Sequence, residues 1–260
     1  METLRALTRS DLPACTALAV GRGWPPEEAK WAFLLRVGRG FGLFDGDRLV
    51  GTTIATRFGD SHTAVSMVLV AESHGGRGLG RRVVEHALAD AGTPEASLYA
   101  TSFGKPLYEK LGFRSVERVA GHFGVLDVPP SGVSRPVVDR AGLVARDAAV
   151  FGADRSAMWA ELFGFAERVV VSEGGFAAGW RNDGRLVVGP VVADSVEAAK
   201  ALVADVADGG PARVDVTDPE LAAWLSAHGM PARFEVDRMV RGPQGGDRRQ
   251  LFAPVMQALG

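Results

Sequence analysis

The chain has 260 residues, a length that allows one large domain or two small ones. Hydrophobic residues make up 47% and charged residues 23%, which is typical of a packed globular protein and excludes a largely disordered chain. The 29 Lys and Arg residues nearly balance the 31 Asp and Glu residues, so the composition argues against a nucleic-acid partner.

The single cysteine, Cys15, cannot form an internal disulfide and excludes a cysteine-based zinc site. The first residues lack the pattern of a signal peptide, and no run reaches the ~18 apolar residues of a membrane span. We therefore expect a cytoplasmic protein without a membrane partner.

Strand and helix patterns alternate through the first half of the chain. The apolar run over 64–70 is typical of a strand covered on both faces, and the pattern that follows it is amphipathic with a period of 3.6. In chain order, the patterns predict a strand, two helices, a hairpin, the buried strand, a helix, a strand, a short helix and closing strands over about 3–7, 11–18, 24–35, 41–56, 64–70, 79–91, 96–100, 106–111 and 113–127.

The stretch Asp127–Pro136 holds three prolines, a glycine and two serines without a regular period, which indicates a linker. After it, the patterns predict a helix near 153–163, three strands, a helix over 194–206, a strand, a helix and a last strand over 232–240. The order repeats that of the first half. We therefore predict a mixed α/β protein with a degenerate internal repeat, divided into 1–127, a linker over 128–136, and 137–260.

One glycine-rich loop carries the clearest chemical signal. It joins the buried strand to the helix after it, and it places glycines at 75, 76, 78 and 80. Such a loop lets backbone N–H groups converge on one point, and the helix N-terminus adds about half a positive charge. The loop therefore predicts a cradle for a phosphate group, with Arg77, Arg81 and Arg82 adding positive charge around it.

Neither of the common nucleotide motifs fits this loop. A Walker loop needs Gly-Lys-Ser or Gly-Lys-Thr, which is missing from the sequence. A dinucleotide fingerprint needs Gly-x-Gly-x-x-Gly, and the third glycine is replaced by Arg81 in one frame and by Val83 in the other.

The run Gly75-Gly76-Arg77-Gly78-Leu79-Gly80 instead resembles the coenzyme A loop Gln/Arg-x-x-Gly-x-Gly/Ala of the GCN5-related N-acetyltransferase (GNAT) family. Gly75 stands where the family has Gln or Arg. Downstream, Leu107–Phe113 matches the family signature Leu-Tyr-Glu-Lys-Leu-Gly-Phe. The resemblance implies a GNAT fold with acetyl-CoA as co-substrate and no metal.

The resemblance also implies a set of coenzyme-binding residues. Strand residues would pair with the pantetheine arm, the loop would hold the pyrophosphate, and the turn after the next strand would flank the thioester. These residues are Val68, Leu69, Val70, Gly75, Gly76, Arg77, Gly78, Leu79, Gly80, Arg81, Thr101, Ser102 and Gly104.

Tyr108 matches the family position that hydrogen-bonds the coenzyme sulfur and protonates it on leaving. A thiol pKa near ~8.5 and a phenol pKa near ~10 make full proton transfer uphill by roughly 2 kcal/mol. A strengthening hydrogen bond and a discrete proton transfer therefore both stay open for this tyrosine.

The reaction implied by the resemblance is direct attack of an amine on the acetyl carbonyl. We expect a small-molecule amine as acceptor, with Trp24, Asp60 and His62 as candidate acceptor-site residues. Asp60, His62, Glu72, His122 and a chain of waters all stay open as the base that takes the proton of the amine. Two other functions stay open: acetylation of protein lysines, and a catalytically silent acyl-CoA-binding regulatory protein. A homodimer is also left open.

The second half lacks the coenzyme features. Where the loop would fall, the chain reads Val191–Val196 without a glycine, Asp194 would repel phosphate, and Leu225 stands at the tyrosine position. We therefore hypothesise a second GNAT-like fold that binds no coenzyme A and shapes the acceptor pocket or subunit contacts. The run 147–155 resembles a signature of two-domain members of the family, in which Asp154 or Arg155 would either face the acceptor or form a structural cap or ion pair.

Overall fold

One mixed β-sheet of thirteen strands runs through the computed structural model, which describes residues 2–260. The first half supplies six strands and four helices to this sheet. They are β1 (Thr3–Ala6), α1 (Leu12–Gly21), α2 (Glu28–Val37), β2 (Arg39–Asp45), β3 (Arg48–Phe58), β4 (His62–Val70), α3 (Leu79–Ala91), β5 (Glu95–Ala100), α4 (Lys105–Lys110) and β6 (Arg114–Val125).

The second half supplies the remaining seven strands and four helices. They are β7 (Arg135–Pro136), α5 (Arg140–Phe151), α6 (Ser156–Phe165), β8 (Arg168–Ser172), β9 (Gly175–Asn182), β10 (Arg185–Ala193), α7 (Val196–Val206), β11 (Pro211–Val216), α8 (Pro219–Ala227), β12 (Ala232–Arg241) and β13 (Leu251–Ala253). None of the helices described over residues 2–260 is long and apolar enough to span a membrane.

Most predicted elements are present within a few residues, and α5 is an unpredicted one. Its buried face comprises Leu143, Asp147, Val150 and Phe151, so a carboxylate interrupts the apolar period. Arg155 compensates that carboxylate with two hydrogen bonds of 2.8 and 2.5 Å, and neither side chain is exposed. Because a buried ion pair takes one position on the apolar face, the hydrophobic residues alone do not show the period of a helix, and α5 was not predicted.

The two halves exchange their long final strands. The sheet order is β1-β2-β3-β4-β5-β12-β6-β11-β10-β9-β8-β7, with β13 paired to β10. The last long strand of the second half, β12, therefore pairs with β5 of the first half, and β6 of the first half pairs with β11 of the second. β12 and β6 run antiparallel to each other at the centre. The exchange makes the sheet continuous from one half to the other.

Strands β4 and β5 separate soon after they meet. They pair in parallel only from His62 to Ala64 of β4. Further along β4, one extra residue against β3 forms a bulge at Met67, whose φ is 50°, and Thr52 Oγ1 donates a 2.8 Å hydrogen bond to the Met67 carbonyl. A bulge bends its strand. It therefore turns the end of β4 away from β5 and leaves backbone groups there without a strand partner.

The corresponding pair in the second half, β10 and β11, also pairs in parallel over only three residues, Leu186–Val188 of β10. Here the opening is filled, because β13 pairs with Val191 and Val192. The chain after β13 approaches so closely that a Cβ on Gly189 would lie 2.0 Å from the Pro254 carbonyl oxygen. The second opening therefore contains a segment of the chain itself.

The predicted linker is hydrogen-bonded to the second half. Asp205 on α7 accepts hydrogen bonds of 2.9 Å from Ser131 Oγ and from the backbone N–H groups of Gly132 and Ser134. The prediction that the linker contains no strand is wrong for its last two residues, which form the edge strand β7. A two-residue strand is too short to show a period of two.

Candidate active site

A slot of about 650 Å³ opens where β4 and β5 separate, bounded by α3 and α4. Most of the predicted coenzyme residues line it. They are Val68, Leu69, Val70, Gly75, Gly76, Gly78, Leu79, Gly80, Thr101 and Gly104, together with the predicted catalytic Tyr108.

Three of the predicted coenzyme residues do not line the slot. The Arg77 side chain pairs with Glu2, and Arg81 pairs with Glu85 at 2.7 Å. Ser102 is exposed and lies outside the lining of the slot. The arginines expected to add positive charge around the loop thus form ion pairs with carboxylates. The groups left to bind an anion in the cradle are backbone N–H groups.

The cradle itself is formed by the turn before α3. Gly76 and Gly78 both have φ of 73°, and a Cβ on either would meet no atom within 4 Å. Gly78 occupies the N-cap position of α3, and it has no side chain that could accept hydrogen bonds from the free N–H groups of the first turn. Those N–H groups therefore remain available to a phosphate.

Tyr108 lies on α4 with its ring buried and edge-on to Phe113, at 6.2 Å between ring centroids. Within residues 2–260, no side chain or carbonyl hydrogen-bonds its hydroxyl. Burial raises the pKa of Tyr108 to about 12. The residue is therefore a neutral phenol at physiological pH, and its O–H is free to donate to a ligand in the slot.

Tyr99 on β5 is a slot residue that the sequence patterns did not single out. The chain contains two tyrosines, and both line the slot. Desolvation raises the pKa of Tyr99 to about 12 as well. A half-buried tyrosine in a strand reads as ordinary core in the sequence, and only the separation of β4 from β5 shows that its ring faces a cavity.

A second cavity of about 420 Å³ adjoins the slot, and we call it the interface cavity because both halves line it. Trp24, Tyr99 and Thr101 line both spaces. The predicted acceptor residue Trp24 therefore lies where they meet. The rest of the wall comprises Pro25, Glu27, Lys30, Phe123, Asn182, Asp183, Arg185, Val187, Arg213, Phe234, Glu235, Val236 and Gln257.

The halves are joined by a polar contact at this cavity. Asn182 Nδ2 donates a 2.8 Å hydrogen bond to Glu27, and Lys30 Nζ donates at 2.6 Å to the other carboxylate oxygen. Glu27 and Asn182 are both more than nine-tenths buried. The Oδ1 atom of Asn182 has no hydrogen-bond partner within residues 2–260.

The other two predicted acceptor residues, Asp60 and His62, are not brought to either cavity. The Asp60 side chain is fully exposed in a turn and pairs with Arg57 at 2.7 Å. His62 is buried at the opposite end of β4 from the slot, with Nε2 2.7 Å from Ser97 Oγ. Asp60 and His62 therefore have structural surroundings that account for them without a ligand.

The alternative bases are also separated by the fold. Glu72 is exposed and lines the slot. His122 is buried in the central sheet, where its Nδ1–H donates a 2.8 Å hydrogen bond to the Met230 carbonyl. Of these two, Glu72 alone can contact a molecule in the slot.

Asp154 and Arg155 take the structural roles left open for them. Asp154 accepts a 2.8 Å hydrogen bond from the backbone N–H of Ser156 at the start of α6. Arg155 is fully buried against Asp147. Neither lines the slot or the interface cavity. Across residues 2–260, no cluster of three or more His, Cys, Asp or Glu side chains could hold a metal ion.

The start of α7, which corresponds to the cradle, is already capped. The Ser195 side chain accepts a hydrogen bond of 3.2 Å from the Ala198 N–H, and Asp194 is paired with Arg146 at 2.6 Å. Leu225, at the position that corresponds to Tyr108, is fully buried. At the positions that correspond to the cradle and to Tyr108, the second half therefore presents neither a free helix N-terminus nor a phenol.

Comparison with known proteins finds similarity in both halves. The family model described as "Acetyltransferase (GNAT) family" matches residues 4–113, and "Acetyltransferase (GNAT) domain" matches residues 143–253. A curated relative, the "Uncharacterized N-acetyltransferase YitH" of Bacillus subtilis (strain 168), is 28% identical over 212 residues, which cover 75% of this chain and 74% of the relative.

Solved structures share the architecture at low identity. A putative acetyltransferase from Pyrococcus horikoshii has a TM-score of 0.87 at 20% identity, covering 100% of this chain and 96% of that chain. A tandem GNAT protein from the clavulanic acid biosynthesis pathway has a TM-score of 0.65 at 12% identity, covering 94% of this chain and 100% of that chain. At these identities the likeness shows the fold alone, and it confirms the predicted mixed α/β architecture of two folds in tandem.

Proposed function

Because the chain belongs to the GNAT acetyltransferase family, we propose that it transfers an acetyl group from acetyl-CoA to the amine of a small molecule. The observation that carries this proposal is the slot, in which a free helix N-terminus, an unpaired strand edge and the Tyr108 hydroxyl line one space. The reacting site lies in the first half, and we keep the division into 1–127, 128–136 and 137–260 as part of the proposal.

The slot fits coenzyme A in two respects. The glycines before α3 leave room and free N–H groups for the pyrophosphate. The end of β4, including Leu69 and Val70, lacks a neighbour on the β5 side, so its backbone can pair with the amides of a pantetheine arm as an added strand would. The residues present therefore support acetyl-CoA as the co-substrate.

In the proposed reaction, the amine nitrogen attacks the acetyl carbonyl and the carbon–sulfur bond breaks. The nitrogen gives up one proton to water and the coenzyme leaves as a thiolate, so negative charge develops on sulfur. With the pKa of Tyr108 at about 12 and a thiol pKa of ~8.5, full proton transfer from the phenol is uphill by roughly 5 kcal/mol. We therefore assign Tyr108 as a hydrogen-bond donor that stabilises the leaving thiolate, in preference to a discrete acid.

The test is the variant Tyr108→Phe, assayed by thiol release from acetyl-CoA with a panel of primary amines. We expect turnover to fall by about 10²-fold, because one donor to a developing charge is lost. Acetyl-CoA affinity, measured by calorimetry, should stay within about twofold because the pyrophosphate and pantetheine contacts are unchanged. Tyr99→Phe removes the other phenol of the slot and should cost far less. Unchanged turnover in Tyr108→Phe would remove the role.

The second half is proposed to bind no coenzyme A. Its strand opening is filled by β13, and the start of α7 is capped by Ser195. A ligand would have to displace both. The role proposed for the second half is instead to form part of the wall of the interface cavity.

A further inference from the structure

We propose that the interface cavity binds the acceptor, an arylalkylamine, and that Glu27 and Asn182 bind its nitrogen. This inference rests on the proposed acetyl transfer, since it names the acceptor for that site. It assigns half of the acceptor pocket to the part of the chain that lacks coenzyme features.

The position of the cavity is the first argument. Trp24, Tyr99 and Thr101 line both the interface cavity and the slot, so a molecule in one space can reach a molecule in the other. Glu27 and Asn182 line this cavity, and Glu27 follows Trp24 by three residues in the chain. The Glu27–Asn182 pair therefore lies in the wall of the space that Trp24 shares with the slot.

The hydrogen-bonding character of the pair is the second argument. A carboxylate accepts hydrogen bonds only, and Asn182 already uses an Nδ2 proton on Glu27. Each Glu27 oxygen already accepts one hydrogen bond and has a lone pair left, and the buried Oδ1 of Asn182 has no partner within residues 2–260. The ligand group that completes these hydrogen bonds must therefore be a donor. An amine or ammonium group meets this requirement, whereas a carboxylate or phosphate does not.

Backbone strain marks the same residue. Glu27 is one of three non-glycine residues with positive φ over residues 2–260, at 46°. Left-handed backbone is unfavourable in a non-glycine residue and persists only where surrounding contacts impose it. Contacts from Lys30 and Asn182 hold the Glu27 carboxylate in place, 6% exposed, at the wall of the cavity.

The charge around the cavity excludes strongly charged acceptors. Its three carboxylates, Glu27, Asp183 and Glu235, equal in number its three cations, Lys30, Arg185 and Arg213. Each cation has a carboxylate within 4 Å: Glu27 for Lys30, Asp183 for Arg185, and Asp215 for Arg213. With a balanced wall, neither a polyamine nor a polyanion gains a favourable field.

Aromatic rings account for the body of the ligand. Trp24, Tyr99, Phe123 and Phe234 line the cavity from both halves. The Arg213 guanidinium lies over the rings of Phe123 and Phe234 at 5.3 and 5.2 Å from their centroids, which holds both rings in place. A flat apolar group packs well against such rings, and about 420 Å³ suits a small molecule.

The test measures binding of 2-phenylethylamine to the enzyme loaded with coenzyme A, by calorimetry. We expect the wild-type protein to bind the amine at least tenfold more tightly than (2-methoxyethyl)benzene, in which a methyl ether without a hydrogen-bond donor replaces the amine. Glu27→Gln and Asn182→Leu should each weaken amine binding at least tenfold and leave binding of the ether within twofold. Glu167→Gln removes an exposed carboxylate of the second half outside the cavity and serves as the matched control.

Coenzyme A affinity reports whether each variant is folded. If Asn182→Leu does not fold, Glu27→Gln, which keeps the shape of the side chain, tests the inference by itself. Equal amine affinity in wild type and Glu27→Gln, or no binding of the amine to the wild-type protein, would overturn the inference. Either result leaves the proposed acetyl transfer standing, because that proposal fails instead on coenzyme binding and on Tyr108→Phe.

Discussion

The buried imidazole of His62 couples the stability of the first half to pH. Its Nε2 lies 2.7 Å from Ser97 Oγ and its Nδ1 lies 3.2 Å from the Glu95 carboxyl group. Desolvation, followed by the positive charges of Arg248 and Arg155, lowers the pKa of His62 to about 3. The ring is therefore neutral in the folded protein throughout the physiological range.

We predict that acid destabilises the wild-type protein through this residue. Between pH 6.5 and about 3, the unfolded chain binds a proton at residue 62 and the folded protein does not. The free energy of unfolding therefore falls with falling pH by up to about 1.4 kcal/mol per unit from this group. In His62→Gln that contribution should vanish, as measured by denaturant unfolding at pH 7.5, 6.0 and 5.0. His86→Gln, at an exposed position, should keep the wild-type slope.

At the scale of elements, the two parallel strand pairs show how a repeated fold gains or loses a ligand slot. β4 and β5 separate and leave a slot, whereas β10 and β11 separate and receive β13. The adjoining helices differ in the same sense. Gly78 leaves the start of α3 uncapped, and the Ser195 side chain caps α7. Both differences support the proposal that coenzyme A binds to the first half and not to the second.

This contrast predicts one coenzyme A per chain in titration calorimetry. Gly78→Asp should lower the affinity at least tenfold, because the new carboxylate caps α3 and repels phosphate, while Asp tolerates left-handed backbone better than most residues. Gly209→Asp, at another positive-φ glycine in open space, should bind as the wild type does. Two equivalents per chain would show that β13 does not close the second slot.

At the scale of the whole molecule, the exchange of β6 and β12 makes each half incomplete without the other. β12 pairs with β5 over five residues and β6 pairs with β11 over six. Separating the halves would expose long unpaired edges in the middle of the sheet. The connection through the linker therefore contributes little to holding the halves together.

We predict that cutting the linker leaves the protein assembled. A protease site inserted after Gly132, an exposed glycine with open space around it, should be cleaved without loss of the native elution volume in gel filtration. The two fragments should part only in denaturant, since separation breaks three strand ladders at once, β5 with β12, β12 with β6 and β6 with β11. Fragments that elute apart in native buffer would contradict the pairing described for β6 and β12.

Local sequence signals were enough for the slot but not for the pocket beside it. The loop over 75–80 and the segment around Tyr108 are each contiguous in the sequence, so the sequence alone was enough to predict their chemistry. Tyr99, Glu27 and Asn182 come to line one cavity only in the folded protein, and the last two lie 155 positions apart in the chain. Each of these residues lies in a separate turn or strand, so the sequence around it shows no motif that would predict the cavity.

Strand exchange also sets an order of events during synthesis. The edge of β5 is complete at residue 100, but β12, which covers it, begins at residue 232, roughly 130 residues later. At ~5–20 residues per second, the ribosome leaves that edge uncovered for roughly 7–25 seconds. For that interval the nascent first half carries its glycine-rich loop and an open sheet edge together, and the part of the interface cavity wall supplied by β12 does not yet exist.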